Sequence, residues 1–222
     1  MTTTEKLTQL YDTLFAHFGP QHWWPGQTRF EIILGTILTQ NTNWSNVEKA
    51  INHLKASNVL TPARLRDMEP NQVAQLIRPA GYFRVKAKRV RHFLDWLFSE
   101  YAGDLDAVAQ LNTYSLREEL LSISGIGPET ADSMLLYAFN RPIFVVDTYT
   151  ARVAVRHGLI EPPFDYHQLQ DLFESNLPQD AQLYNEYHAL IVAIGKEFCK
   201  PTARCEPCPL NGLPHTAELP LA

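Results

Sequence analysis

Apolar residues recur at helical spacing along most of this chain, and that periodicity constrains its fold more than any other feature. Leu7, Leu10 and Leu14, for example, share one face of a predicted first helix. Further helices are predicted at 30–38, 47–54, 70–77, 86–101, 104–111, 115–122, 129–138, 148–157, 166–176 and 181–198. The isoleucine and valine residues of 142–146 resemble a strand, but five residues without a pairing partner favour a buried connector. The sequence therefore predicts an all-α protein.

The charge balance limits the kinds of partner. Lysine and arginine total 19, and aspartate and glutamate total 24, which gives a formal net charge of −5 over the 222 residues. This excludes a uniformly basic nucleic-acid coat protein, so any nucleic-acid surface is local. No apolar run reaches the length of a membrane span, and Glu5 and Lys6 precede no signal-peptide core. We expect a soluble, cytoplasmic protein that contacts no membrane.

The segment 113–139 predicts a helix, a tight turn and a second helix. Ser115 and Glu118 have the spacing of a capping box that starts the first helix. Gly125 and Gly127 supply a turn in which the backbone can approach a partner, and the proline that follows suits the first turn of a helix. Exposed amides at such a turn bind a DNA phosphate without reading sequence. The alternative is an ordinary tight turn between helices.

Three cysteines crowd into ten residues near the C-terminus. They are Cys199, Cys205 and Cys208. An odd number of cysteines this close together indicates a metal site rather than disulfides.

Four motifs occur in one order along nearly the whole chain. They are L-T-Q-N-T at 38–42, L-x-x-I-x-G-I-G-P-E-T-A-D at 120–132, P-I-F-V-V-D-T-Y-T-A-R-V at 142–153 and the late cysteines. In these motifs the chain resembles the helix-hairpin-helix (HhH-GPD) DNA glycosylases of the endonuclease III superfamily. The His-Trp-Trp-Pro sequence at 22–25 resembles the 3-methyladenine DNA glycosylase branch.

The resemblance implies two helical domains. Residues 29–141 are expected to form a six-helix barrel that includes the helix-hairpin-helix at about 115–139. Residues 1–28 are expected to pack with residues 142–222, which carry the cysteine loop at 199–208. The resemblance further implies that DNA and the active site lie in the cleft between the domains, and that the protein is nucleoid-associated.

The same resemblance makes Asp147 the catalytic carboxylate. Cleavage of an N-glycosidic bond builds positive charge on the sugar, and a nearby carboxylate stabilises that charge or activates a water molecule. The alternative for an aspartate just before a helix is an N-cap.

Glu129 departs from the bifunctional members of the superfamily. These members carry a lysine at this place, whose amine forms a Schiff base with the sugar and leads to strand scission. Glutamate cannot form an imine, so we expect base release without strand cleavage. The resemblance also places Glu129 in the base pocket, and the alternative is that it complements the helix dipole.

The resemblance assigns a base pocket to several aromatic residues. A flipped base needs a stacking surface, and electron-rich indoles favour a base that alkylation has made cationic. Trp23, Trp24 and Pro25 together with Trp44 match the alkylpurine branch. The alternative assigns the tryptophans to the core. Lys196 also matches a pocket lysine, and its alternative is a surface lysine beside a glutamate.

Further DNA contacts follow from the resemblance. Gln40 falls where the superfamily pushes a polar side chain into the gap left by the flipped nucleotide, and its alternative is a solvated helix end. Thr130 completes the predicted hairpin contacts with Gly125 and Gly127.

A stretch without acidic residues adds a local positive stripe. Between residues 71 and 94 its basic members are Arg78, Arg84, Lys86, Lys88, Arg89 and Arg91. The loop at 81–84 resembles a superfamily loop near DNA, so Arg84 and Lys86 are predicted phosphate contacts. The alternative is a solvated helix face.

The cysteine loop resembles the iron–sulfur loop of endonuclease III, in which four cysteines bind a [4Fe-4S] cluster. The fourth cysteine is missing here, and Pro214 stands at its place. Three alternatives remain open: a cluster completed by His215 or an outside ligand, zinc completed by His215, or the remnant of a lost site. Lys200 and Arg204 are candidates for phosphate contact in each case.

These observations predict a monofunctional DNA glycosylase of base excision repair. It is expected to act as a monomer on double-stranded damaged DNA and to remove alkylated purines such as 3-methyladenine. One alternative is a glycosylase for oxidised pyrimidines or mismatched bases. The other is a non-catalytic helix-hairpin-helix protein that binds damaged or branched DNA.

Overall fold

The computed structural model describes residues 1–218, and every regular element in that range is helical. The prediction of an all-α protein is therefore confirmed. The chain divides into two compact units: a contiguous unit, Trp24–Arg141, and a discontinuous unit that joins Met1–Trp23 to the chain from Pro142 onward. Across the described range, no helix combines the length and the apolar character that a membrane crossing requires.

The helices alternate with short connections throughout. In chain order they are α1 (Thr3–Phe18), α2 (Arg29–Leu38), α3 (Trp44–Ala56), α4 (Pro62–Asp67), α5 (Pro70–Leu76), α6 (Phe83–Tyr101), α7 (Leu105–Val108), α8 (Thr113–Ser122), α9 (Pro128–Ser133), α10 (Thr148–Arg156), α11 (Tyr166–Glu174) and α12 (Ala181–Glu197). A π-helical turn, Met134–Ala138, continues α9, and 3₁₀ turns lie at Arg78–Ala80 and Pro209–Gly212.

The contiguous unit is built around α2. Most of its residues are buried, among them Ile33, Leu34 and Ile37, as expected for a helix covered on all sides. It contacts α3, α6, α9 and the π-helical turn. The end of α2 and the hairpin formed by α8 and α9 are therefore held by one core.

The hairpin begins two residues earlier than the sequence suggests. Asn112 caps α8, because its side chain accepts a hydrogen bond from the Ser115 amide at 2.9 Å. The expectation that Ser115 is the cap is wrong, since Ser115 is already the third residue of the helix. Pro128 occupies the first position of α9 as predicted. Buried Asp132 accepts hydrogen bonds from Arg117 at 2.6 and 3.0 Å, which fasten α8 to α9.

The discontinuous unit is built around α12, which packs against α1 and α10. The Tyr187 hydroxyl donates to the Leu7 carbonyl at 2.8 Å, and both residues are buried. This bond joins the two chain segments of the unit inside its core.

The segment 142–146 is the buried connector that the sequence predicts. It forms neither a helix nor a strand, and the side chains of Phe144, Val145 and Val146 are buried. The Phe144 amide donates to Glu174 at 2.7 Å, and the Phe144 carbonyl accepts from Gln170 at 2.8 Å. Side chains of α11 thus satisfy the backbone groups that a strand partner would otherwise bond.

Candidate functional site

Asp147 ends this connector and is the N-cap of α10. Its Oδ1 accepts hydrogen bonds from the amides of Tyr149 and Thr150 at 2.9 and 2.8 Å and from the Thr150 hydroxyl at 3.0 Å. Its Oδ2 lies 3.6 Å from Nε2 of His188 in α12. One carboxylate oxygen therefore caps the helix, while the other faces an imidazole.

The surroundings keep the Asp147 carboxyl group ionised. Burial by itself raises its pKa, since only 13% of the side chain is exposed. His188 and the hydrogen bonds from Thr150 together act more strongly in the opposite direction, so the pKa is lowered from its ordinary value. An ionised carboxylate at neutral pH is the state that stabilises developing positive charge.

Three rings of the contiguous unit form what we call the aromatic group, which consists of Trp24, Trp44 and Tyr137. The centroid of Trp24 lies 4.9 Å from that of Trp44, edge to face at 82°, and 5.0 Å from that of Tyr137, at 33°. Gly35 of α2 allows this approach, because a Cβ at that position would lie 3.0 Å from Trp24 Nε1. Such ring pairs fix the orientation of each indole and form an electron-rich wall.

Trp23 and Lys196 come together in the discontinuous unit. The Lys196 ammonium lies 5.7 Å from the centroid of the Trp23 ring, which is within cation–π range. Pro25 is exposed and belongs, with Trp24, to the contiguous unit. The unit boundary falls between the two adjacent tryptophans.

The hairpin turn presents backbone rather than side chains. Gly125 has a φ of 92°, a conformation that favours glycine. Gly127 is the N-cap of α9, and no atom lies within 4 Å of the place where its Cβ would be. Glu129 is exposed in the first turn of α9, where its charge complements the helix dipole. The open turn suits a phosphate, and that role of the two glycines stays a prediction.

Gln40 lies against this turn instead of forming a solvated helix end. Its Nε2 donates to the Gly125 carbonyl at 3.1 Å and to the Thr130 hydroxyl at 2.9 Å. Its Oε1 accepts a hydrogen bond from Nη1 of Arg89 in α6. The structure therefore brings together Gln40, Gly125 and Thr130, three residues that the sequence assigns to DNA contact.

Lys86 departs from the predicted positive stripe. Its side chain is buried, and its Nζ donates to the Leu38 carbonyl at 2.8 Å and to the Ala80 carbonyl at 2.7 Å. Burial and the neighbouring Arg89 lower the pKa of Lys86 to about 8. This ammonium ties the end of α2 to the 3₁₀ turn and does not face a phosphate, whereas Arg84 is exposed.

Two arginines of α10 hold the cysteine loop. Buried Arg156 donates to the carbonyls of Lys200 and Pro201 at 2.7 and 2.8 Å. It also donates to Cys199 Sγ at 3.2 Å, and Arg152 donates to the Cys199 carbonyl at 2.8 Å. The loop is therefore organised by guanidinium groups.

The donor groups of this loop share one small cavity. The three thiols and His215 line a cavity of ≈ 20 Å³, which has room for about one water molecule. Burial raises the pKa of the Cys208 thiol. Within residues 1–218, no three His, Cys, Asp or Glu side chains are grouped to hold a metal ion. Zinc and a [4Fe-4S] cluster each need four ligands, so either group would require all three thiols together with His215 or an outside ligand, and its presence stays a prediction.

Sequence reasoning misses two residues of this geometry, Tyr137 and His188. Tyr137 joins the aromatic group from the π-helical turn, and no local pattern indicates such a turn. His188 reaches Asp147 only because α12 packs against α10. Its one sequence signal is a polar residue within the apolar run that ends at Ile194.

A known protein family and known protein sequences each match most of this chain. The family described as HhH-GPD superfamily base excision DNA repair protein matches residues 34–179. A protein of Methanocaldococcus jannaschii with the provisional name DNA repair glycosylase is 45% identical, over 93% of this chain and 94% of that one. Endonuclease III of Sulfolobus acidocaldarius is 32% identical, over 82% of this chain and 81% of that one.

Solved structures share the fold. The 3-methyladenine DNA glycosylase of H. pylori, bound to 1,N6-ethenoadenine, has a TM-score of 0.76 and 28% identity, covering 89% of this chain and 98% of that chain. A non-covalent endonuclease III–DNA complex has a TM-score of 0.81 and 23% identity, covering 96% of this chain and 95% of that chain. The second likeness concerns the fold alone.

Proposed function

The chain belongs to the HhH-GPD superfamily of base excision DNA repair proteins and is a DNA glycosylase, and we propose that it removes alkylated purines such as 3-methyladenine. Its proposed substrate is damaged double-stranded DNA, which it binds as a monomer. The product is an abasic site in an uncut strand.

The aromatic group is the observation that carries the proposed substrate class. A purine alkylated at a ring nitrogen is cationic, and the faces of Trp24, Trp44 and Tyr137 attract a cation more than a neutral base. Stacking of a base on an aromatic side chain contributes about 1–3 kcal/mol, enough to retain a flipped base. The H. pylori relative bound to 1,N6-ethenoadenine supports a modified purine as the occupant.

Asp147 is the proposed catalytic carboxylate. The bond from C1′ to the base breaks with its electrons leaving on the base, and the sugar gains positive charge. Oδ1 is engaged in capping α10, so Oδ2 is the oxygen that stabilises this charge or accepts a proton from the attacking water. An alkylated base leaves as a neutral molecule, so one ionised carboxylate meets the catalytic demand.

We expect no strand cleavage by an enzyme amine. Such cleavage requires a nucleophilic amine on the sugar, and Glu129 supplies a carboxylate at the hairpin position where bifunctional relatives carry lysine. The segment 113–139 contains no lysine. Lys196 lies over the Trp23 ring, where we assign it to pocket shape.

Phosphate contacts are assigned to the hairpin turn and to exposed cations. The amides near Gly125 and Gly127 are proposed to bind one phosphate, with the positive end of α9 behind them. Arg84 is the proposed side-chain contact of the positive stripe. Thr130 is assigned an indirect role through its hydrogen bond to Gln40.

The test compares two duplexes, one treated with a methylating agent and one containing an oxidised thymine. Each is incubated with the purified protein and then divided into portions with and without hot alkali, alongside the Asp147→Asn variant. The proposal predicts breaks in the methylated duplex after alkali only. Breaks without alkali would overturn the proposal that the protein releases bases without cutting the strand. Release of base from the oxidised duplex alone would overturn the proposed substrate class.

A further inference from the structure

Both polar atoms of the Gln40 side chain are hydrogen-bonded, although Gln40 is the predicted gap-filling residue. A glutamine amide offers two N–H donors and one carbonyl acceptor. Both donors are used, toward the Gly125 carbonyl at 3.1 Å and the Thr130 hydroxyl at 2.9 Å, and the carbonyl accepts from Arg89. Gln40 therefore enters DNA only by giving up these three hydrogen bonds.

Arg89 contacts both Gln40 and the hairpin turn. Its guanidinium bonds Gln40, and its aliphatic stem covers Gly125 so closely that a Cβ there would lie 2.5 Å from Arg89 Cγ. Arg89 extends from α6, Gln40 follows α2, and Gly125 belongs to the hairpin turn. A bond from a charged donor is stronger than one between neutral groups. Among the three bonds, the one from Arg89 is therefore the strongest restraint on Gln40.

We propose that Arg89 is a positioning residue that latches Gln40 onto the hairpin turn until DNA is bound. The inference rests on the proposed function, in which Gln40 fills the gap left by the flipped base. Release of the latch frees the Arg89 guanidinium for a phosphate, on the same helix as the exposed Lys88 and Arg84. Insertion of Gln40 and engagement of the hairpin with DNA then occur as one coupled step.

The competing interpretation is that Arg89 is one more phosphate contact. In that case its removal weakens DNA binding, and its effect is independent of Gln40. The latch instead predicts coupling between Arg89 and Gln40 in the protein without DNA. It also predicts faster insertion when Arg89 is removed.

The first experiment needs no DNA. Unfolding by urea is measured for the wild type, Arg89→Met, Gln40→Met and the double variant, and the latch predicts non-additivity of about tenfold in the unfolding equilibrium constant. Lys88→Met with Gln40→Met is the matched control, since Lys88 is exposed on the same helix, and this pair should be additive. Additive effects of Arg89 and Gln40 would overturn the latch. If Arg89→Met does not fold, Arg89→Lys replaces it, with the same expected direction.

The second experiment measures insertion. A duplex with a tetrahydrofuran abasic analogue and 2-aminopurine opposite it is mixed with saturating protein in a stopped-flow instrument. Arg89→Met should raise the first-order rate of the fluorescence change, whereas Lys88→Met should weaken affinity and leave that rate unchanged. Equal behaviour of the two variants would overturn the latch. Failure of the wild type to bind this duplex would contradict the proposed function, and the experiment without DNA would still decide the latch.

Discussion

Asp147 and Gln40 are both held by hydrogen bonds, but the bonds are of different kinds. Asp147 is fixed by two backbone amides and a hydroxyl of its own helix, so any movement of its side chain leaves the first amides of α10 without their acceptor. Gln40 is held by a side chain of α6 and by two groups of the hairpin, which can be exchanged without loss of a helix. The proposed catalytic group is thus bonded locally, and the proposed gap-filling group is bonded across elements.

Asp147→Asn tests the locally bonded carboxylate and should have the largest effect on base release. Asparagine also caps helices, so α10 should remain folded, but the negative charge is lost. We expect base release from a methylated duplex to fall by about 10³-fold in single-turnover assays. Binding to an abasic duplex should be retained. A loss of less than tenfold would reduce Asp147 to a helix cap.

Trp44→Ala tests whether the aromatic group holds the flipped base in place, as the hydrogen bonds of α10 hold Asp147. Removal of one stacking face should lower base release by roughly 10- to 100-fold. Trp96→Ala is the matched control, because Trp96 lies in the same unit but donates to Glu119 and has no place in the aromatic group. Equal losses in the two variants would point to general destabilisation instead of base stacking.

Arg156→Met tests whether the helix that Asp147 caps depends on contacts at its other end, where Arg156 holds the cysteine loop. Arg156 donates to two loop carbonyls and to Cys199, so its loss should lower the free energy of unfolding by about 2 kcal/mol. The measurement is urea unfolding of the wild type and the variant, each with and without a metal chelator. A chelator effect on the wild type as large as that of the substitution would show that a metal, and not Arg156, holds the loop.

His188→Gln should have the smallest effect on base release at neutral pH. It tests whether the charge of Asp147, and not only its hydrogen bonds, depends on its neighbours. His188 helps to lower the pKa of Asp147, so its loss raises that pKa. The stability contributed by ionised Asp147 is present above its unfolded pKa and is lost as the pH falls through the folded pKa. In the variant this loss, and the acid limb of base release, should both move to higher pH. An unchanged acid limb would show that His188 does not set the ionisation of Asp147.

Features encoded within a few residues could be predicted from the sequence. The turn at Gly125 and the start of α9 at Pro128 follow from the backbone preferences of those residue types. The cap of α8 shows the limit of such reasoning, since Asn112 and Ser115 both suit an N-cap and local sequence does not decide between them.

The prediction that Lys86 contacts a phosphate is wrong, although the sequence holds the signal that Lys86 is buried. It lies at helical spacing from the buried Val90, Phe93 and Leu97, so it belongs to the apolar face of α6. A count of charges along the chain ignores which face of a helix each charge occupies. The contacts of Tyr137 and His188 could not be inferred from local sequence, because packing between distant segments determines their partners. The catalytic and pocket roles stay predictions.

The hydrogen bond between Tyr187 and Leu7 has a consequence for biosynthesis. The contiguous unit can fold as soon as residue 141 leaves the ribosome, but α1 must wait for α12, whose Tyr187 follows Leu7 by 180 positions. At ribosomal speeds this delay is on the order of ten to forty seconds. The nascent chain therefore holds the aromatic group and the hairpin turn before α10, which Asp147 caps, has its packing partners. In this order of assembly, the proposed catalytic carboxylate is the last of these groups to be fixed in place.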